Sequence, residues 1–191
     1  MALLILGLAL FIGVHSIRIV APAWRDAQVA RMGNAWKGIY SVLSIAGFVV
    51  LVWGFGIARH DPVSLYAPPT WLKHANAVFT LVAFILFSAA YIPRNHFKSS
   101  LGHPMYGGVK VWAVGHLLAT GMLHDVVLFG AFLAWSIAGF MASRRRDRAN
   151  GTTYPAGTAM SDVLAVVIGA AAWFAFAAWL HPRWIGVPAF A

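Results

Sequence analysis

The sequence predicts an all-α fold, a polytopic membrane helical bundle with six transmembrane helices, on three observations. Hydrophobic residues make up 61% of the chain and charged residues only 10%, with a mean hydropathy of +0.75, which is too apolar for a monomer in water. Apolar runs near the roughly 20 residues that cross a bilayer occur at Ala2 to Val20, Lys37 to Ala58, Trp71 to Ile92, Gly108 to Leu123, His124 to Ala142 and Ser161 to His181. Lysine and arginine, thirdly, divide unequally between alternate loops. At 191 residues the chain reads as one integral-membrane domain, residues 1–191.

The first run resembles a signal-peptide core. It has neither a basic leader nor a cleavage site before the charged segment Arg18 to Arg31, so it is expected to be a retained span. The second carries Gly47, Gly54 and Gly56, and the last is Ala-rich around Gly169; small residues let transmembrane backbones approach closely. The fourth and fifth runs are nearly continuous from Gly108 to Ala142. One helix of that length would measure about 52 Å, far beyond a hydrocarbon core of about 30 Å. A break is therefore expected between Gly121 and Asp125, with Gly ending one helix and Asp starting the next. Beyond it, Arg144 to Arg148 and Asn150 to Pro155 read as a topology anchor and a flexible connector, a poor place for a site. Ser161-Asp162 opens the last helix, and Trp24, Trp36, Trp71, Trp179 and Trp184 mark interfacial span ends.

Six spans put the first, third and fifth loops on one side. That side holds eleven of the 14 lysines and arginines, and only Arg59, Lys73 and Arg183 fall on the other. The positive-inside rule places those three loops in the cytoplasm and both termini outside. A five-span arrangement with a re-entrant fourth segment would put Arg144 to Arg148 outside.

Composition narrows the chemistry. Without cysteine there is no disulfide, thiolate zinc site or Fe–S cluster. Glutamate is absent and the five acids are all Asp, which argues against carboxylate-pair hydrolysis and carboxylate-rich metal sites. The net charge of +9 sets topology and meets anionic lipid headgroups, and nucleic acid is not an expected partner.

The histidines sort by depth. His60, His74, His124 and His181 lie near outer span ends and His96 in a cytoplasmic loop, where interfacial solvation accounts for them. His15 and His116 lie deeper, roughly 7 and 12 Å from the cytoplasmic ends of their spans. A buried neutral imidazole can simply hydrogen-bond a neighbouring helix, but an ionisable side chain within lipid is a functional candidate. Two at comparable depth could ligate one metal or one haem. Gly13, Ala113, Gly115 and Ala119 would leave room for a flat group, and Arg18 and Lys110 would pair with its carboxylates.

Phe11 to Arg18, His103-Pro104-Met105 and Gly108 to Gly121, with its Trp112-x-x-x-His116, together resemble the NnrU family of bacterial membrane proteins. That family is named for a role in denitrification and is related to the plant 15-cis-zeta-carotene isomerase. The resemblance covers essentially the whole chain. It implies haem b in the membrane with His15 and His116 as axial ligands, and redox-dependent isomerisation of a carotenoid-like polyene lipid. An accessory or sensor role in nitrogen-oxide respiration is the non-enzymatic expectation. The plant proteins carry Cys three residues before the second His, where this chain has Ala113, so a Cys-for-His ligand exchange is unavailable.

His103-Pro104-Met105-Tyr106-Gly107-Gly108 also resembles the turn of membrane methyltransferases related to isoprenylcysteine carboxyl methyltransferase. Gly102 stands where those proteins have Arg, and their C-terminal acidic partners are missing. The same residues read equally as a helix-opening turn, with Pro fixing φ and the glycines allowing close approach.

Overall fold

The computed structural model describes residues 1–189, and among these every extended element is helical. In chain order they are α1 (Ala2–Val20), α2 (Pro22–Met32), α3 (Asn34–Ala58), α4 (Trp71–Tyr91), α5 (His96–Leu101), α6 (Pro104–Ala119), α7 (Leu123–Asn150) and α8 (Ala159–Ala175). A π-helical turn (Phe176–Leu180) then leads into α9 (His181–Ile185).

Small residues set the helix seams, because a backbone can approach a glycine where any Cβ would collide. Gly7 lies against the backbone of Leu51 and Gly54 against that of Leu4, and a Cβ at Gly47 would stand 2.8 Å from the Phe11 nitrogen. These pairings make α1 and α3 antiparallel. Gly56, expected in the same seam, has nothing within 4 Å. Gly169 meets the backbone of Ile85 on α4, where Trp173 Nε1 also donates to Thr80 Oγ1 at 2.9 Å. On the other side of α4, Gly108 meets Phe87 and Gly115 meets Asn76 and Phe79, so α6 runs antiparallel to α4. Tyr106 of α6 lies over Gly139 of α7, and α7 lies parallel to α1, with Phe11 beside Phe132 and His15 beside Trp135.

Leu4, Leu8, Leu51, Ala58, Ala113, Leu128 and Phe129 form the buried core between α1, α3, α6 and α7. Outward, α3 exposes Ile45, Phe48, Val49 and Val52, and α8 exposes Val163, Val167 and Phe174. Apolar surface of that extent is lipid-facing, as expected of a multi-pass membrane protein.

Among the described residues five helical segments are long and apolar enough to cross a membrane: α1, α3, α4, α7 and the run Ala159–Ile185. The sixth expected span corresponds to α6, which at 16 residues measures about 24 Å. It starts at Pro104 and stops at Ala119, earlier at both ends than the apolar run Gly108 to Leu123. The early stop has a tertiary cause. The segment after α3 pairs with the chain between α6 and α7, Leu65 N donating to Gly121 O and Leu123 N to Val63 O, each at 2.8 Å. A Cβ on Gly121 would overlap the Tyr66 carbonyl, so the break falls at this glycine. Asp125 consequently sits in the first turn of α7 and Met122 at its N-cap.

Helices α1, α4 and α7 end, and α3, α6 and α8 begin, at one basic end of the bundle, which carries Arg18, Arg94 and the Arg144–Arg148 cluster. There α7 continues through the arginines to Asn150 before Gly151, at φ 62°, ends it. The stretch after Arg18, expected as a charged loop, forms the short, largely exposed helix α2.

Candidate functional site

His15 projects from the last two turns of α1. Its Nδ1–H donates to the Phe11 carbonyl one turn back at 2.7 Å, so in the neutral ring Nε2 keeps a free lone pair. Rings surround it: Phe11 at 4.3 Å, Tyr40 of α3 edge-on at 5.4 Å and Trp135 of α7 edge-on at 6.2 Å. The indole N–H of Trp135 is buried without a hydrogen-bond partner. An unpaired buried donor is uncommon and calls for an explanation.

His116 repeats this arrangement on α6. Its Nδ1–H donates to the Trp112 carbonyl at 2.9 Å, and its ring stacks on Phe129 at 4.3 Å and 20°. Trp112 lies 5.2 Å away. Each histidine is thus oriented by its own helix, with one nitrogen left for a ligand.

The structure does not bring the two imidazoles together. His116 packs at the level of Phe129 on α7 and His15 at that of Trp135, which are six residues, or about 9 Å, apart along that helix. Nitrogens sharing one metal lie about 4 Å apart, since each metal–imidazole bond is about 2 Å. Between the two histidines the rings of Phe11, Phe132 and Trp112 follow one another at 5.9 and 5.6 Å. The expected comparable depth depended on α6 starting at Gly108. It starts at Pro104, which places His116 about 18 Å above the helix start. The space beside Gly115 is taken by Asn76 and Phe79, and Gly13 faces outward with no neighbour within 4 Å. Neither glycine lines a slot between the histidines.

Arg18 and Lys110 also part company. Lys110 Nζ sits 3.7 Å above the ring of Phe140, a cation–π contact, while Arg18 lines a pocket at the basic end. His124, expected at a solvated interface, is buried against Phe55, with Nε2 3.6 Å from Asp125. Among the described residues no three His, Cys, Asp or Glu side chains gather as a metal-holding group.

The basic-end pocket encloses about 280 Å³ and is lined by Arg18, His103, Tyr106, Arg146, Asp147 and Thr152, among others. His103 occupies the N-cap position of α6 ahead of Pro104 without a side-chain capping bond, and its ring makes tertiary bonds instead. Its Nε2–H donates to Asp147 Oδ2 at 2.8 Å, and the Tyr154 hydroxyl donates to the same oxygen at 2.8 Å. Burial, then the bond to Asp147, pushes the Tyr154 phenol up to about 12, which keeps it a donor. Among the described residues His103 Nδ1 has no partner, and the ring is oriented by a carboxylate as a proton acceptor would be. Two members of this cluster come from the stretch expected to be anchor and connector. The basic run and the Asn-Gly turn concealed them, since a link from His103 to Asp147 spans 44 residues and has no local sequence signal.

A family model described as NnrU protein matches residues 3–189. Neither a curated protein nor a solved structure matches the chain.

Proposed function

We propose, from the premise that this chain belongs to the NnrU family, that it is a haem-b-binding protein of the bacterial inner membrane whose iron ligand is His15. The observation that carries the reading is the donor arrangement at His15: an anchored Nδ1, a free Nε2 and a buried, unpaired Trp135 N–H beside it. An imidazole held this way would hold haem iron through Nε2, and the orphaned indole would meet a polar atom of a bound group. The fit does not extend to His116 as a second ligand, because His116 stands at another level. His15 also lies one helical turn from Arg18 at the basic end, where a cation serves the carboxylates of haem; Lys110 is the second candidate and would have to leave Phe140.

Haem, when bound, supplies an iron centre that changes oxidation state. The chain's own residues do the rest: the Phe11 carbonyl holds the imidazole, Tyr40 and Trp135 wall it, and the apolar exterior admits a lipid-soluble substrate. In its enzymatic form the function is redox-dependent cis-trans isomerisation of an apolar polyene. In its non-enzymatic form it is support of nitrogen-oxide respiration.

The absorption spectrum of protein purified after haem-replete expression tests the reading. A Soret band that shifts on reduction, lost in His15→Ala and kept in His116→Ala, is the expected result. A wild-type spectrum in His15→Ala overturns the assignment, and loss in both variants shows that the helices move to bring the pair onto one iron. Incubation of the reduced protein with cis-polyenes then separates the two forms, since turnover belongs only to the enzyme.

A further inference from the structure

The charge balance of the basic-end pocket does not close. Its one carboxylate, Asp147, is occupied by His103 and Tyr154 through the same oxygen. Arg146 spends its bonds on neutral acceptors, Nη1 on the Arg18 carbonyl at 3.1 Å and Nη2 on Ser143 Oγ at 2.8 Å. Neither Arg18 nor Arg146 has a carboxylate within 4 Å among the described residues, where the acid pairs are those of Asp26, Asp162, Asp147 and Asp125. The bond to Arg18 joins the end of α1 to α7, the bond to Ser143 stays within α7, and together they fix the planar guanidinium beside the cavity. A fixed guanidinium with unspent N–H groups is suited to oxyanions, which accept two parallel bonds from it.

Size and position restrict the ligand. A volume of about 280 Å³ lies just below the usual range for drug-sized ligands, about 300–1,000 Å³. It suits a phosphate with its hydration better than a nucleotide. The pocket lies where α1, α6 and α7 reach the basic end, the level at which a bilayer carries its phosphates. We infer that this pocket is a phosphate-binding site, anchored by Arg146 and bordered by Arg18 and the His103–Asp147–Tyr154 cluster. The inference goes beyond the haem reading and does not depend on it, because its anchor is Arg146 rather than His15.

The phosphate could be a lipid headgroup or the free ion, and the experiment separates them. The full-length protein in a phosphorus-free maltoside detergent is titrated with inorganic phosphate and, separately, with short-chain phosphatidylglycerol, followed by the phosphorus NMR signal of each probe. Saturable binding of the lipid, with or without competition by inorganic phosphate, identifies a headgroup site. Saturable binding of inorganic phosphate alone identifies a small-ion site. Arg146→Gln is expected to weaken binding by about tenfold or more, as loss of charge-assisted bonds implies. Arg145→Gln, on the same helix but outside the pocket lining, is expected to bind as wild type does. Arg146→Lys keeps the charge and is expected to fall between, which separates lost binding from lost folding. Failure of the wild type to bind either probe saturably, or equal weakening by Arg145→Gln, overturns the site. The haem spectrum of Arg146→Gln is expected to be unchanged, so failure here and failure of the haem reading are distinguishable.

Discussion

A histidine whose Nδ1–H is bonded to the carbonyl four residues back has its ring direction set by the helix that carries it. His15 and His116 both obey this rule, and the residues around each decide what it can do. His116 is closed in by Phe129 and Trp112, whereas His15 adjoins an indole N–H with nothing to bond. Haem that binds only the folded state adds stability by mass action. His15→Ala is therefore expected to lower the melting temperature of the haem-loaded protein in detergent and to leave that of the haem-free protein nearly unchanged. At the basic end, Tyr154→Phe removes the hydroxyl donor to Asp147. For this partly exposed bond a loss of about 0.5–1 kcal/mol is expected by denaturant titration. The same phenol predicts a pH dependence. Its folded value of about 12 lies above an unfolded value of about 10, so folding favours the protonated form. That contribution is complete below about pH 10 and is lost as the pH rises toward 12. In Tyr154→Phe this alkaline decline is expected to be absent, and an equal decline in both proteins would show that another group governs it.

Among elements, the close packing of α3 was legible, though not its partner α1, because glycine in an apolar span has few other uses. Gly47 and Gly54 touch opposing backbone as expected, yet Gly56, two residues on, touches nothing. Composition announces a seam, and helix phase decides which glycine faces it. Gly54→Leu is expected to cost about 1–3 kcal/mol by overpacking, against little for Gly56→Leu; equal unfolding midpoints in the two variants would contradict the seam. The limits of α6 were less legible, since hydropathy cannot reveal that residues 63 to 66 pair with residues 121 to 123. The Ser143 to Met160 stretch was misread for a related reason. A run of arginines says where a chain meets water, but it does not show that Asp147 within it receives His103 and Tyr154.

For the molecule as a whole, charge and helix direction agree. The antiparallel and parallel pairings deduced from side-chain contacts put Arg18, Arg94 and Arg144–Arg148 at one end, as the eleven of 14 basic residues required. If that end faces the cytoplasm, reporter fusions after Ala149 will report cytoplasm and those after Ala191 periplasm. A periplasmic report at Ala149 would reverse the orientation and remove the phosphate pocket from the inner leaflet.

The sequence by itself determined the class of this protein: an all-helical membrane bundle, its small-residue packing and its basic end. These follow from hydropathy, residue size and charge, which act locally and survive in a one-dimensional reading. Only the tertiary structure decided which of those residues meet. Whether two imidazoles share a level depends on where α6 starts and how it packs on α7. Whether an arginine keeps its charge unpaired depends on partners more than a hundred residues away, as Arg146 and Arg18 show. Such pairings are set by the geometry of packed helices, and no spacing along the chain encodes them.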